Sequence, residues 1–283
     1  MSYQIIACID GSIPSTAVCD WAAWAAVKLQ IPLTLLHTLD NPSKVSHANL
    51  TGTIGLGSRE QLLEELAALD EKRNKIALQH GKHLLEEAHH RIVADGIKEA
   101  RCLQRHGSLI ETLLALEHET KLVVIGRQGE QTQSHASQIG SQLETIIRTL
   151  HCPILIALPD FNVPKEVMFA FDASPSANKV LNSLMEHSHL LEGVTCHLVM
   201  ANKNNHESAF LGAKKSLEEV GVNVVGARLE GEVESVLSDY AELHAIDLLI
   251  MGAFGHSKIR QFFVGSTTSY MLHTTKIPLL LLR

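Results

Sequence analysis

Residues 246–271 read IDLLIMGAFGHSKIRQFFVGSTTSYM, and the chain is best understood outward from them. The apolar run Leu248, Leu249, Ile250, Met251 is too short for a helix and suits a strand buried on both faces. It ends at Gly252. Gly255 follows after two residues, then Gly265, Ser266 and Thr267 after nine more, at the head of a second helix-like pattern. Strand, glycine-bearing loop and hydroxyl-bearing helix start are the parts of an anion site. Glycines let backbone N–H groups approach an anion, and a helix N-terminus carries partial positive charge. The spacing is not that of a P-loop, since the chain contains no Gly-Lys-Ser or Gly-Lys-Thr.

The same programme occurs earlier. Tyr3 to Ile9 reads as a strand, Asp10-Gly11-Ser12 as a turn, and Ser15 as the N-cap of a helix to about Leu29. Strands follow at 33–39, 97–104, 121–125 and 153–158, separated by a long helical pattern at 59–94, a short helix capped by Ser108, and a helix ending near Leu150. After 159–164 the order restarts: strand 166–171, turn Asp172-Ala173-Ser174, then helices and strands alternating to a closing strand at 277–282. Each half thus has five strands and four helices, and an internal duplication explains this better than a single ten-strand sheet. The expected domains are 1–158, a linker at 159–164, and 165–283.

Asp10 precedes Gly126 by 116 positions, whereas Asp172 precedes Gly252 by 80. The surplus falls in a Gly-, Ser- and Asn-containing loop at 40–58 and in the lengthened helix after it. In that helix Leu62, Leu66, Leu69, Ile76, Leu84 and Ala88 form a stripe expected to face the protein's own sheet. An open parallel sheet binds ligands beyond the carboxyl ends of its strands, where the chain order reverses. This rule selects the turns after the first and fourth strand of each half, the places of the aspartates and the glycines.

Repeated in this context, the aspartate and glycine pattern resembles that of the universal stress proteins, in the tandem two-domain form. The resemblance implies two open-twisted, five-stranded parallel sheets of Rossmann-like, adenine nucleotide alpha hydrolase-like type, strand order 3-2-1-4-5, with ATP across the switch point. It implies that Asp172 accepts from the adenine amino group and that backbone at Ala201 meets adenine. Gly252, Gly255 and Gly265 would line the triphosphate, Ser266 and Thr267 would receive phosphate oxygens, and Ala173, Met251 and Phe254 would complete the pocket. Magnesium or manganese would enter only as companion of the triphosphate. The weaker equivalent in the first half comprises Asp10, Thr38, Gly126, Gly129, Gly140 and Ser141, where ten residues rather than nine separate the last two glycines. Nucleotide is therefore expected in the C-terminal half. The resemblance also implies that the closing strands of the two halves meet edge to edge, an intrachain pseudo-dimer that leaves room for a homodimer and for an unidentified protein partner.

Composition narrows the remaining classes. A net charge of -7 with 4% aromatic residues disfavours nucleic acid, which calls for a basic patch with stacking rings. Five cysteines without a CxxC pair read as reduced, buried thiols of a cytoplasmic protein, and no run is long enough for a membrane span. His80, His83, His89 and His90 read as solvated helix surface rather than a metal site, because they lack HExxH spacing. Three functions fit: an ATP-binding regulatory module of the stress response, a slow ATPase or self-phosphorylating protein, or a binder of another small or lipidic ligand through the first half. The absence of a recognisable general base beside the glycine loop counts against the enzyme.

Overall fold

The computed structural model describes residues 3–39, 56–97, 99–129, 142–201, 206–253 and 265–283, with helix side chains from residue 64 in the second of these segments. In the first half β1 (Gln4–Cys8), α1 (Ser15–Leu29), β2 (Leu33–Leu39), α2 (Leu56–Ala94), β3 (Ala100–His106), α3 (Leu109–Leu116), β4 (Thr120–Gly126), α4 (Leu143–Thr149) and β5 (Ile154–Ala157) alternate. The second half repeats them as β6 (Glu166–Ala170), α5 (Pro175–Glu186), β7 (Thr195–Ala201), α6 (Glu207–Glu219), β8 (Asn223–Leu229), α7 (Val233–Leu243), β9 (Leu248–Gly252), α8 (Ser266–Thr274) and β10 (Leu279–Leu282).

The strands form one sheet in the order β3-β2-β1-β4-β5-β10-β9-β6-β7-β8. Each half therefore has the expected 3-2-1-4-5 order, all parallel within itself. The closing strands of the halves meet edge to edge as expected, so the two duplicated five-stranded sheets run on as one of ten strands: β5 pairs antiparallel with β10, with Leu280 opposite Leu155. This join covers two apolar edges that would otherwise invite pairing with other chains.

Successive residues of each strand feed two different cores, which is why the strands are continuously apolar. Ile5 and Ala7 pack on the side of α1, α2, α5 and α6, whereas Ile6 and Cys8 pack on the side of α3, α4, α7 and α8. Polar bonds also cross between halves. Arg127 Nη1 donates to Thr275 O (2.6 Å), and Arg283 Nη2 donates to Ile147 O and Arg148 O (2.5 and 2.8 Å). The second contact puts a cation on the carbonyl end of α4, where helix carbonyls carry partial negative charge. Phe161, within the segment expected to be a linker, packs edge-on against Trp21 at 5.1 Å.

Several local expectations change. The third strand is Ala100–His106, not 97–104. Pro14, not Ser15, is the N-cap of α1, and the Ser15 hydroxyl is drawn instead to Asp10. Cys102 is exposed, although the other four thiols are buried as expected.

The largest change is in α2. Leu85, Ala88 and Ile92 are buried against the sheet and Leu84 packs beside them, but Leu66, Leu69 and Ile76 are 43%, 55% and 58% exposed. Only the C-terminal part of this 39-residue helix rests on the sheet. Strand β3, seven residues long, spans about 23 Å. About fifteen helical residues cover that length, so the rest of α2 continues past the carboxyl ends of the strands. Leu62 lies where side chains are outside the described residues.

Candidate functional site

A cleft of about 640 Å³ opens at the carboxyl ends of β6, β7 and β9. Asp172 and Ala201 form one wall of it, and Met251, Gly252, Gly265, Ser266 and Thr267 form the other. The volume is within the range of sites for nucleotide-sized ligands. Phe254 and Gly255 lie outside the described residues.

The aspartate is fixed by its own turn. Asp172 Oδ1 accepts from Ser174 N (2.9 Å), and the Ser174 hydroxyl turns the other way to accept from Ala177 N (3.1 Å) as the N-cap of α5, with Pro175 at the first helical position. This arrangement needs a left-handed residue between them. Ala173 takes φ 58°, the place that Gly11 takes at 78° in the first half. For alanine such a conformation costs about 1–2 kcal/mol. Gly252 is favoured by proximity rather than by φ: a Cβ there would stand 3.1 Å from Ser176 Oγ at the start of α5, tighter than an ordinary contact. Strand β9 can thus pass close under the turn and hold both walls together.

The phosphate-like end rests on the nine-residue α8, which begins at Ser266 with Gly265 as its N-cap. Among the described residues no side-chain bond closes the helix start. Thr268 Oγ1 donates to Gly252 O (3.2 Å), tying α8 to the end of β9. The Thr267 hydroxyl is engaged by Glu234 Oε1 of α7 at 3.1 Å. An anion seeking that hydroxyl meets a carboxylate first. Among the described residues, no group of three His, Cys, Asp or Glu side chains could hold a metal ion.

The first-half cleft is smaller, about 350 Å³, and is lined by Asp10, Thr38, Gly126 and Gly129. Gly140 and Ser141 lie outside the described residues. Asp10 Oδ1 accepts from Ser12 N, Ser12 Oγ and Ser15 Oγ at 3.0, 2.5 and 2.9 Å. The long helix enters this cleft: Ala77 and His80 line it, and Leu84 lies 3.2 Å from where a Cβ of Gly11 would be. Among the described residues, none of α6 lines the second-half cleft, although His206, just before that helix, does. The α4 that follows the first-half glycines is two residues shorter than α8.

Sequence reasoning missed the serines at positions 12, 15, 174 and 176, His37, His206, Glu234 and Thr268. For Ser12 and Ser174 a signal existed, since Asp followed two residues later by Ser is an Asx-turn pattern. No local signal joins Glu234 to Thr267, which are separated by 33 positions.

A doubly wound sheet with a cleft between its first and fourth strands, occurring twice in one chain, is an architecture of nucleotide-binding type. The model of the Universal stress protein family matches residues 1–157 and 197–283. The universal stress protein Slr1230 of Synechocystis is 35% identical over 286 residues, covering 99% of both chains. Two solved structures share the fold at 14% identity. A universal stress protein from Archaeoglobus fulgidus superposes with a TM-score of 0.74, covering 100% of this chain and 99% of its own. A functionally unknown protein from Pseudomonas aeruginosa does so with a TM-score of 0.62, covering 99% and 92%. The chain belongs to the universal stress protein family, a family of stress-response proteins.

Proposed function

We propose that this chain is an ATP-binding regulatory module of the stress response, with one nucleotide held in the second-half cleft. Its repeats are the units 1–158 and 165–283, joined by 159–164. The observation that carries the reading is the convergence of Asp172, Gly252, Gly265 and Ser266 on one cleft of about 640 Å³. Asp172 precedes the other three by 80 positions or more, and together they have the chemistry for an adenine at one end and a phosphate chain at the other. In this reading Asp172 meets the adenine amino group, backbone at Ala201 meets the ring edge, and the start of α8 meets phosphate. Ala173 and Met251 shape the pocket between them, and Phe254 and Gly255 extend it. Magnesium or manganese arrives bound to the triphosphate.

The first half is the poorer candidate for three physical reasons. Its cleft has roughly half the volume, α2 fills part of it, and the last two glycines of its pattern are one residue further apart. A different, smaller ligand suits it better than ATP. Nucleotide occupancy would act by favouring one arrangement of the loops around the cleft, which a protein partner reads.

Isothermal calorimetry of the full chain with ATP tests the stoichiometry. One site per chain, abolished by Asp172→Ala and kept by Asp10→Ala, is the expected result. Two equivalent sites, or loss only with Asp10→Ala, would overturn the assignment.

A further inference from the structure

The two clefts share one end and differ at the other. At the shared end, Asp10 Oδ1 accepts from Ser12 N at 3.0 Å, as Asp172 Oδ1 accepts from Ser174 N at 2.9 Å. The two carboxylates are thus held in equivalent turns. Asp10 Oδ2 faces across its cleft toward Gly129, 3.3 Å from where a Cβ of that glycine would be. Ile9, Val18, Leu36 and Ile125 give this end apolar walls. A carboxylate between apolar walls suits a flat base that carries an exocyclic amine.

The other end has lost what a phosphate needs. Aligned on the last glycine of each pattern, Gln142 and Leu143 stand where the second half has Thr267 and Thr268. Helix α4 begins at Leu143, three positions after Gly140, whereas α8 begins one position after Gly265. The first turn of α4 carries Glu144 and that of α8 carries no acidic residue, so a carboxylate offsets the positive helix end only in the first half. Leu143 puts a buried apolar side chain into the lining in place of a hydroxyl. Gln142, also in the lining, has a buried Oε1 that accepts no hydrogen bond among the described residues. A phosphate oxygen is itself an acceptor and cannot satisfy it, whereas a hydroxyl can donate to it. The charge balance agrees. Among the described residues that line this cleft none is Lys or Arg, and residues 130–141 contain neither, whereas 254–264 contain Lys258 and Arg260.

We propose that the first-half cleft binds an uncharged nucleoside, with its base amine on Asp10 and a sugar hydroxyl toward Gln142, so that the duplicated sites divide between nucleoside and nucleotide. The inference rests on the reading that the matching aspartate of the second half receives a base amine. A cleft of about 350 Å³ has room for a base and a sugar. A phosphate added to that ligand would bring negative charge to an acceptor and an acidic helix start, with no cation in the lining to meet it.

Calorimetric titration of the full chain carrying Asp172→Ala, which silences the second-half cleft, is the test. Adenosine is expected to bind at one site per chain, at least about 10-fold more tightly than AMP. Adding Asp10→Ala should abolish that binding. Adding Gln142→Leu instead should weaken adenosine about 10-fold and leave the affinity for free adenine, which has no sugar, unchanged. AMP bound as tightly as adenosine, no adenosine bound at about 1 mM, or an adenosine affinity untouched by Gln142→Leu would each overturn the proposal. ATP titrated into the wild type reads the second-half assignment separately. Adenosine held through Asp10 with no ATP bound would remove that assignment alone, and ATP bound with adenosine refused would remove the nucleoside proposal alone.

Discussion

The hydroxyl of Thr267 donates to Glu234 across 3.1 Å, so a carboxylate of α7 stands at the helix start proposed to receive phosphate. Removing its charge should tighten binding of a polyanion. Glu234→Gln is expected to improve ATP affinity by about 3–10-fold, as one partly exposed charge at close range contributes on the order of 1 kcal/mol. The gain should be the same with and without magnesium in a calorimetric titration. A loss seen only with magnesium would mean that Glu234 helps to hold the cation.

Ala173 holds a left-handed conformation that alanine adopts at a cost, while its methyl group packs at the margin of the core. Ala173→Gly should raise stability by up to about 1 kcal/mol. Ala173→Val should lower stability, since a branched side chain is worse at positive φ. Urea denaturation of both variants would check the sign.

At Gly81 α2 lies close against side chains of β2 and β3. A Cβ there would overlap Gln104 Nε2 and stand 2.5 Å from His37 Cδ2. Gly81→Val should therefore push α2 outward and cost about 1–3 kcal/mol. ATP binding in the second half should persist in this variant, because α2 makes no part of that cleft. Loss of binding at a temperature where the protein remains folded would show that the halves are coupled.

Burial pushes the thiols of Cys19, Cys152 and Cys196 up to about 12, and that of Cys8 higher still, with Asp10 adding to the rise. A group with a raised folded value gives stability that is full below its unfolded value, 9.0 here, and is lost as pH rises toward the folded one. Stability should thus be insensitive to these thiols at pH 7–8. Above about pH 9 it should fall by up to about 1.4 kcal/mol per thiol per pH unit. Cys196→Ala should be less stable at pH 7 yet show a shallower alkaline decline. In the native state an aromatic disulfide reagent should titrate Cys102 quickly and the other four only after unfolding.

The parts of the fold that were legible are those where one physical demand writes a local pattern. A sheet covered on both faces needs short continuous apolar runs, and Leu248 to Met251 and Ile154 to Ala157 supply them. A backbone passing close under a turn favours glycine, and Gly252 marks the site for that reason. Other features demanded knowledge of what lies opposite. The stripe of Leu66, Leu69 and Ile76 has the period of a helix face packed on its own sheet, but the sheet does not reach it. Ser15 has the chemistry of an N-cap but bonds the Asp10 carboxylate, because Pro14 takes the cap position. The buried His197, bonded to Glu166 and Tyr240, joins residues 31 and 43 positions away and left no trace in any window.

The most direct test of the nucleotide assignment is mass spectrometry of small molecules released on denaturing the purified chain, comparing wild type with Asp172→Ala, Gly265→Val. Adenine nucleotide is expected from the wild type, near one per chain, and none from the variant. No nucleotide from the wild type, together with no rise in its melting temperature at saturating ATP, would contradict it.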